Sequence, residues 1–179
     1  QNLWRLRLDI NRIQKLENLG RLEELGSLTL NTNQIRELEN LDGLSALKGL
    51  DLTNNNIIQM KGLENLRKLE YLFLGNNAIE TIEGLEHQTK LKTLHLERNA
   101  ITEIQNLRHL KELQTLILSQ NNIKGIRGLN GLERLTHLRM EGNPIQWPRD
   151  WEYYDTRGIV EYCNDIVKWR PQDVIKRIR

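Results

Sequence analysis

Residues 69–112 read LEYLFLGNNAIETIEGLEHQTK and LKTLHLERNAITEIQNLRHLKE when they are written as two lines of equal length. Leucine occupies the first, fourth and sixth positions of both lines. Asparagine occupies the ninth position (Asn77 and Asn99), and isoleucine the eleventh and fourteenth. A fixed period of this length predicts a chain of similar units that stack on one another.

The same 22-residue frame extends without a gap over seven units. The units begin at Leu3, Leu25, Leu47, Leu69, Leu91, Leu113 and Leu135. Their ninth positions are Asn11, Asn33, Asn55, Asn77, Asn99, Asn121 and Asn143. One unit cannot bury its own leucines, so the units are expected to stack into one solenoid. Gln88 replaces a leucine of the repeat, which predicts a local dent in the convex side.

Each unit predicts a short strand followed by tight turns. Within L-x-x-L-x-L the fourth and sixth residues point to one face of a strand, and the residues that alternate with them point to the other. The later apolar residues are spaced by three, which favours short helical turns over a long α-helix. The expected architecture is a curved parallel sheet on the concave face with short helical turns on the convex face.

The repeat ends after Asn143, where prolines and aromatic residues follow. Residues 158–169 are predicted to form a helix, with Ile159, Tyr162, Cys163 and Ile166 along one face. This helix would be the C-terminal cap. The aromatic residues expected to cover the last coil are Trp147, Trp151, Tyr153 and Tyr154. The predicted division is therefore residues 1–146 for the repeats and residues 147–179 for a helical cap and basic tail.

Over residues 3–145 the unit resembles the SDS22-like class of leucine-rich repeats. The resemblance implies an α/β leucine-rich repeat solenoid that contacts other proteins, usually through its concave face. Bacterial internalins have similar units of the same length, but they normally add a secreted cap and an immunoglobulin-like domain, which this sequence does not show.

The end of the repeat region resembles intracellular leucine-rich repeat proteins of the Roco type. The matching residues are Gly142, Asn143, Pro144, Ile145, Pro148, Gly158, Ile159 and Tyr162. The spacer between Pro148 and Gly158 is longer than in that pattern, and no phosphate-binding loop follows. The resemblance gives a second hypothesis, in which the chain is a regulatory or sensor arm of a larger multidomain protein such as a Roco-type GTPase.

The composition limits the partners and the compartment. Charged residues make up 28% of the chain, but the net charge is only +2, which is too balanced for bulk attraction to nucleic acid or a membrane. A single cysteine excludes an internal disulfide, and no asparagine begins an N-x-S/T sequon. Both features favour a cytosolic or prokaryotic origin, because extracellular repeat proteins often close their ends with disulfides. The predicted location is cytoplasmic.

The candidate partner-binding residues lie between the buried leucines of the central units. Phe73 is the only phenylalanine, and the strand frame predicts that it points outward. The predicted set is Tyr71, Phe73, Thr93, His95, Arg98, Ile117 and Arg139. Exposed aromatic residues with a polar rim are typical of interface hot spots, although ordinary surface residues would show the same pattern.

No catalytic, cofactor or metal motif is present. The sequence lacks G-x-S-x-G, the P-loop and H-E-x-x-H, and its four histidines do not have metal-ligand spacing. The sequence therefore predicts a non-catalytic module for a protein partner, without a cofactor. A further interpretation is self-association through the N-terminal end near Trp4, where the first unit would expose its leucines.

Overall fold

The computed structural model describes residues 3–146 and 156–168, with no side chains for residues 165–168. Seven strands of three residues each precede one helix. The strands are β1 Arg5–Arg7, β2 Ser27–Thr29, β3 Gly49–Asp51, β4 Tyr71–Phe73, β5 Thr93–His95, β6 Thr115–Ile117 and β7 His137–Arg139. The helix is α1 Thr156–Lys168.

All seven strands form one parallel sheet, in the order in which they occur in the chain. Leu72 pairs with Leu50 on one side and with Leu94 on the other, so neighbouring strands are offset by one repeat unit. This arrangement confirms the predicted solenoid. The boundary of the repeat region at residue 146 stays a prediction.

The core lies between the sheet and the convex side. Leu94 and Leu96 are completely buried, as the alternation of the strand requires. On the convex side the backbone N–H of Leu110 donates to the carbonyl of Leu107 (2.9 Å), and that of Leu113 donates to Leu110 (3.1 Å). These bonds to the third preceding residue are single helical turns.

The dent predicted at Gln88 is wrong. The side chain is completely buried, and its amide donates to the carbonyl of Leu63 at 2.7 Å. The backbone N–H of Gln88 still donates to Leu85, and its carbonyl still accepts from Leu91. Glutamine therefore fits the leucine site because its amide reaches a backbone carbonyl of the preceding coil, although its Oε1 atom has no hydrogen-bond partner.

Asn121 shows how the ninth-position asparagines after the first coil join two coils. Its amide donates to the carbonyls of Leu118 (3.0 Å) and of Leu96 in the preceding coil (2.9 Å). Its Oδ1 atom accepts the backbone N–H of Ile101 (3.0 Å). The Leu96 carbonyl also accepts from Asn99, so one carbonyl serves two successive asparagines. The same pattern occurs at Asn33, Asn55, Asn77, Asn99 and Asn143.

The eighth position of every coil has a left-handed backbone. The residues are Ile10, Thr32, Asn54, Asn76, Arg98, Gln120 and Gly142, with φ between 54° and 75°. Asparagine and glycine adopt this conformation readily, whereas a β-branched residue is strained in it. The turn therefore holds Ile10 and Thr32 in a strained backbone conformation, which lowers the stability of the fold locally.

Helix α1 packs at the C-terminal end of the stack. Val160 and Cys163 are buried, and the Cys163 thiol donates to the carbonyl of Ile126 in the sixth coil (3.2 Å). Asn164 accepts the backbone N–H of Gly131 at 2.8 Å. Burial raises the pKa of the Cys163 thiol to about 11, so this cysteine is a packed residue. The predicted cap helix is confirmed, although it begins two residues earlier than expected.

Several predicted features of the C-terminal region lie outside the described residues. They are the aromatic residues Trp147, Trp151, Tyr153 and Tyr154, the side chain of Ile166, and the basic tail after Lys168. Within the part of the chain that the structure describes, no helix has the length and apolar character needed to cross a membrane.

Replacement of Asn121 by alanine should destabilise the fold by roughly 2–3 kcal/mol, since the Ile101 N–H loses its partner inside the stack and two carbonyls each lose one of two donors. Urea unfolding followed by circular dichroism measures the change. The exposed neighbour Asn122 provides the matched control, because its replacement by alanine should change stability by less than about 0.5 kcal/mol. Equal effects of the two substitutions would contradict the structural role of the asparagine ladder.

Replacement of Ile10 by asparagine should stabilise the fold by about 1 kcal/mol, because the left-handed backbone strains a β-branched residue. Ile10 has φ of 56° and is 79% exposed, so little packing is lost. Ile58 is also exposed but lies outside the left-handed positions, so its change to asparagine should give no gain. Thermal unfolding of the two variants decides the question, and a lower midpoint for the Ile10 variant would contradict it.

Candidate partner-binding surface

The sheet aligns the fifth residue of each coil into a row that crosses the strands. Register pairs Asp51 with Phe73, Phe73 with His95, His95 with Ile117, and Ile117 with Arg139. We call these five residues the central row. It has a carboxylate at one end, two rings and an aliphatic side chain in the middle, and a guanidinium at the other end.

Phe73 and His95 contact each other at the centre of this row. Their ring centroids lie 4.9 Å apart and the ring planes meet at 85°, which is an edge-to-face arrangement. Both rings are partly exposed, whereas Leu72 and Leu74 on either side of Phe73 are completely buried. Phe73 therefore lies on the concave face of the sheet and not in the core.

Glu97 packs over Gly75 beside the two rings. A Cβ atom at Gly75 would lie 2.5 Å from the Glu97 carboxylate, so a larger residue here would require Glu97 to shift from this position. The Glu97 Oε2 atom lies 4.0 Å from Nδ1 of His95 and has no hydrogen-bond partner. The missing side chain at Gly75 thus places a carboxylate next to the aromatic centre.

The charges around His95 act in opposite directions. Burial lowers the pKa of His95, and the positive charge of Arg139 lowers it further. Glu97 and Asp51 act against this change. At the end of the face, the Ser119 hydroxyl donates to Glu141 at 2.6 Å and lowers the pKa of that carboxyl.

A concavity of about 680 Å³ lies over the last three strands. It is lined by His95, Glu97, Arg98, Thr115, Ile117, Ser119, Gln120, His137, Arg139, Glu141 and Gly142. The structure therefore brings together four members of the predicted set, namely His95, Arg98, Ile117 and Arg139.

The remaining predicted residues lie beside this concavity. Tyr71 and Thr93 pair with each other in the adjacent row of third positions, and Tyr71 is 42% exposed. Phe73 does not line the concavity, but its ring contacts His95, which does. Arg98 lies at the edge, where its Nε atom donates to Gln120 at 2.8 Å.

Several residues of the concavity were not in the predicted set. Glu97, Ser119 and Glu141 occupy seventh positions and His137 a third position, so the repeat frame alone would have placed them on this face. The repeat frame does not predict the contact of Glu97 with Gly75, because the two residues belong to neighbouring coils. Among the described residues, no three His, Cys, Asp or Glu side chains converge as metal ligands.

At the N-terminal end, Trp4 is 57% exposed and lies over Gly26, where a Cβ atom would meet its indole nitrogen at 2.4 Å. The Arg5 guanidinium carbon lies 5.3 Å from the centroid of the Trp4 ring. Leu3 and Ile10 of the same first coil are also exposed. Self-association through this end stays a prediction.

Comparison with known families matches this architecture to one class of protein. A family model described as leucine rich repeat matches residues 89–145, and a model of two leucine rich repeat copies matches residues 45–87. The chain belongs to the leucine-rich repeat family. A comparison with curated proteins gave no match. The SDS22-like class and the Roco-type resemblance stay predictions.

Three solved structures show the same fold. An internalin (InlF) of Listeria monocytogenes is 33% identical with a TM-score of 0.76, over 82% of this chain and 44% of its own. InlJ of the same organism is 26% identical with a TM-score of 0.71, over 82% of this chain and 32% of its own. TLR13 in complex with ssRNA13 is 27% identical with a TM-score of 0.73, over 84% of this chain and 23% of its own. This chain thus spans less than half of each of these proteins.

The pKa of His95 should lie below the ordinary histidine range, because its ring is partly buried. Replacement of Glu97 by glutamine should lower this pKa further, and replacement of Arg139 by glutamine should raise it. NMR titration of the imidazole measures all three values. A change in the opposite direction for either variant would contradict the described electrostatics.

The same shift makes stability depend on pH. Because the pKa of His95 is lower in the folded state, the unfolded state binds the proton more readily. The contribution of neutral His95 to stability should therefore be complete above the unfolded-state pKa and be lost as the pH falls through the folded-state pKa. Replacement of His95 by glutamine should reduce this loss in urea unfolding, and an unchanged pH profile would contradict it.

Proposed function

We propose that this chain is a non-catalytic module that binds a protein partner on its concave face. Leucine-rich repeat folds are typical of protein–protein interaction modules. The observation that carries the proposal is the accessible apolar centre of the central row, formed by Phe73, His95 and Ile117. Tyr71, Thr93, Arg98 and Arg139 complete the proposed contact set.

The composition of this surface suits a protein partner. Interface hot spots combine aromatic residues that bury well with a polar rim that excludes water. Here the rings of Phe73 and His95 are already held against each other, so they lose little freedom on binding. The strand backbone is likewise fixed by hydrogen bonds on both sides, which limits the entropy cost of association.

The charges do not favour a nucleic acid in this position. A phosphate backbone is normally held by a series of lysine and arginine side chains. On this face the carboxylates of Asp51, Glu97 and Glu141 lie among the arginines and histidines. The balance of charge instead matches the mixed side chains of a protein surface.

The second hypothesis is that the chain is a regulatory or sensor arm of a larger multidomain protein such as a Roco-type GTPase. It differs from a separate binding module in what the full-length protein contains. A nucleotide-binding domain in the same reading frame would favour it.

Replacement of Phe73 by arginine should weaken partner binding strongly, because it places a charge at the apolar centre. The probe is a displayed library of random peptides that is selected on the wild-type protein. The selected peptides are then synthesised, and their affinity is measured by fluorescence polarisation. We expect a loss of at least roughly tenfold for this variant, which corresponds to about 1.4 kcal/mol.

Ile58 provides the matched control, since it is 53% exposed and belongs to neither the sheet nor the concavity. Replacement of Ile58 by arginine adds the same charge and should leave the affinity unchanged. Circular dichroism confirms that both variants fold. Peptides that bind both variants as well as the wild type would place the binding site elsewhere.

A further inference from the structure

We infer that the central row recognises an extended segment with a basic residue at one end, apolar residues in the middle and an acidic residue at the other end. The basic residue lies over Asp51, the apolar residues over Phe73, His95 and Ile117, and the acidic residue over Arg139. This inference rests on the proposed function and adds to it the chemical class and the direction of the bound segment.

The two ends of the row carry charges that form no ion pair within 4.0 Å with a described residue. Among the residues that the structure describes, the Arg139 side chain forms neither a hydrogen bond nor an ion pair within 4.0 Å. Asp51 forms no ion pair either, and its Oδ1 atom accepts only the backbone N–H of Thr53 at 3.0 Å. Both groups are thus available to charges on a partner.

Glu97 and Glu141 form no ion pair with Arg139, although its positive charge contributes to the lowered pKa of Glu141. Glu141 accepts the Ser119 hydroxyl, and Glu97 lies over Gly75. Ile117 separates Arg139 from His95 along the row, so the positive end and the aromatic centre remain distinct. The exposed surface of the row therefore has a negative end at Asp51 and a positive end at Arg139.

The length of the row matches a short extended peptide. Four strand steps separate Asp51 from Arg139, which is about 19 Å at a spacing of about 4.8 Å per step. An extended chain advances about 3.3 Å per residue, so the six steps from residue i to residue i+6 cover about 20 Å. Side chains i, i+2, i+4 and i+6 share one face of such a segment and meet the row as basic, apolar, apolar and acidic.

The residues beside the row suit an extended segment. Polar residues border the middle and the Arg139 end of the row, with Thr93 and Thr115 on one side and Glu97 and Ser119 on the other. The two flanking rows lie roughly 13 Å apart, so an extended chain can lie along the central row between them.

The test compares peptides selected on the wild type with peptides selected on a variant that carries both Asp51→Lys and Arg139→Glu. The same random displayed library is used for both proteins, and only peptides that fail to bind the Phe73→Arg variant are sequenced. We expect a basic-to-acidic order with i and i+6 spacing for the wild type, and the opposite charges at those two positions for the double variant.

Single neutral variants measure each end separately. Asp51→Asn and Arg139→Gln should each weaken a selected wild-type peptide by about two- to fivefold, as is usual for exposed charge pairs. The matched control reverses Glu103 and Lys124, which are exposed residues off the central row, and leaves the net charge unchanged. This control should select the same peptides as the wild type.

The outcomes separate this inference from the proposed function. Charges that reverse with the double variant support both. Peptides that depend on Phe73 but show no charge order, or keep the same order on the double variant, overturn the inference and leave the proposed function in place. A library without any Phe73-dependent peptide overturns both.

Discussion

The hydrogen bonds of the ninth-position asparagines are the constraint on which the rest of the structure depends. Leucine burial supplies most of the driving force, but it has no direction. The asparagine amide does have a direction, since it must meet carbonyls of two coils while its oxygen accepts an N–H of the preceding coil. Repetition of this bond sets an offset of one unit between neighbouring strands, and the offset in turn produces straight rows of side chains on the concave face.

Different residues of each strand contribute to stability and to the proposed recognition surface. Leu94 and Leu96 support the fold from below, whereas His95 between them is partly exposed and can change without loss of core packing. The same alternation lets Phe73 serve as a surface aromatic in a chain that has no other phenylalanine. The strands thus hold the exposed residues of the concave face in fixed positions, while core packing does not restrict which residue types occupy them.

Most of the fold followed from the sequence, because a leucine or an asparagine at a fixed interval has only one consistent role. The outward position of Phe73 followed from the same alternation. The burial of Gln88 and the position of Glu97 over Gly75 did not, since both depend on contacts with the preceding coil. The grouping of binding residues was predicted in part, because alternation identifies the face but not how far a long side chain such as Glu97 leans along it.

The offset of one unit between strands also limits how the length of such a chain can change. A deletion that is not a whole number of units would move the asparagines away from the carbonyls of the neighbouring coil, so length should vary in whole coils. One coil inserted between β3 and β7 would increase the separation of Asp51 and Arg139 by one strand spacing, about 4.8 Å. The number of coils thus sets a discrete distance between two opposite charges, and this distance can be altered without redesign of either end.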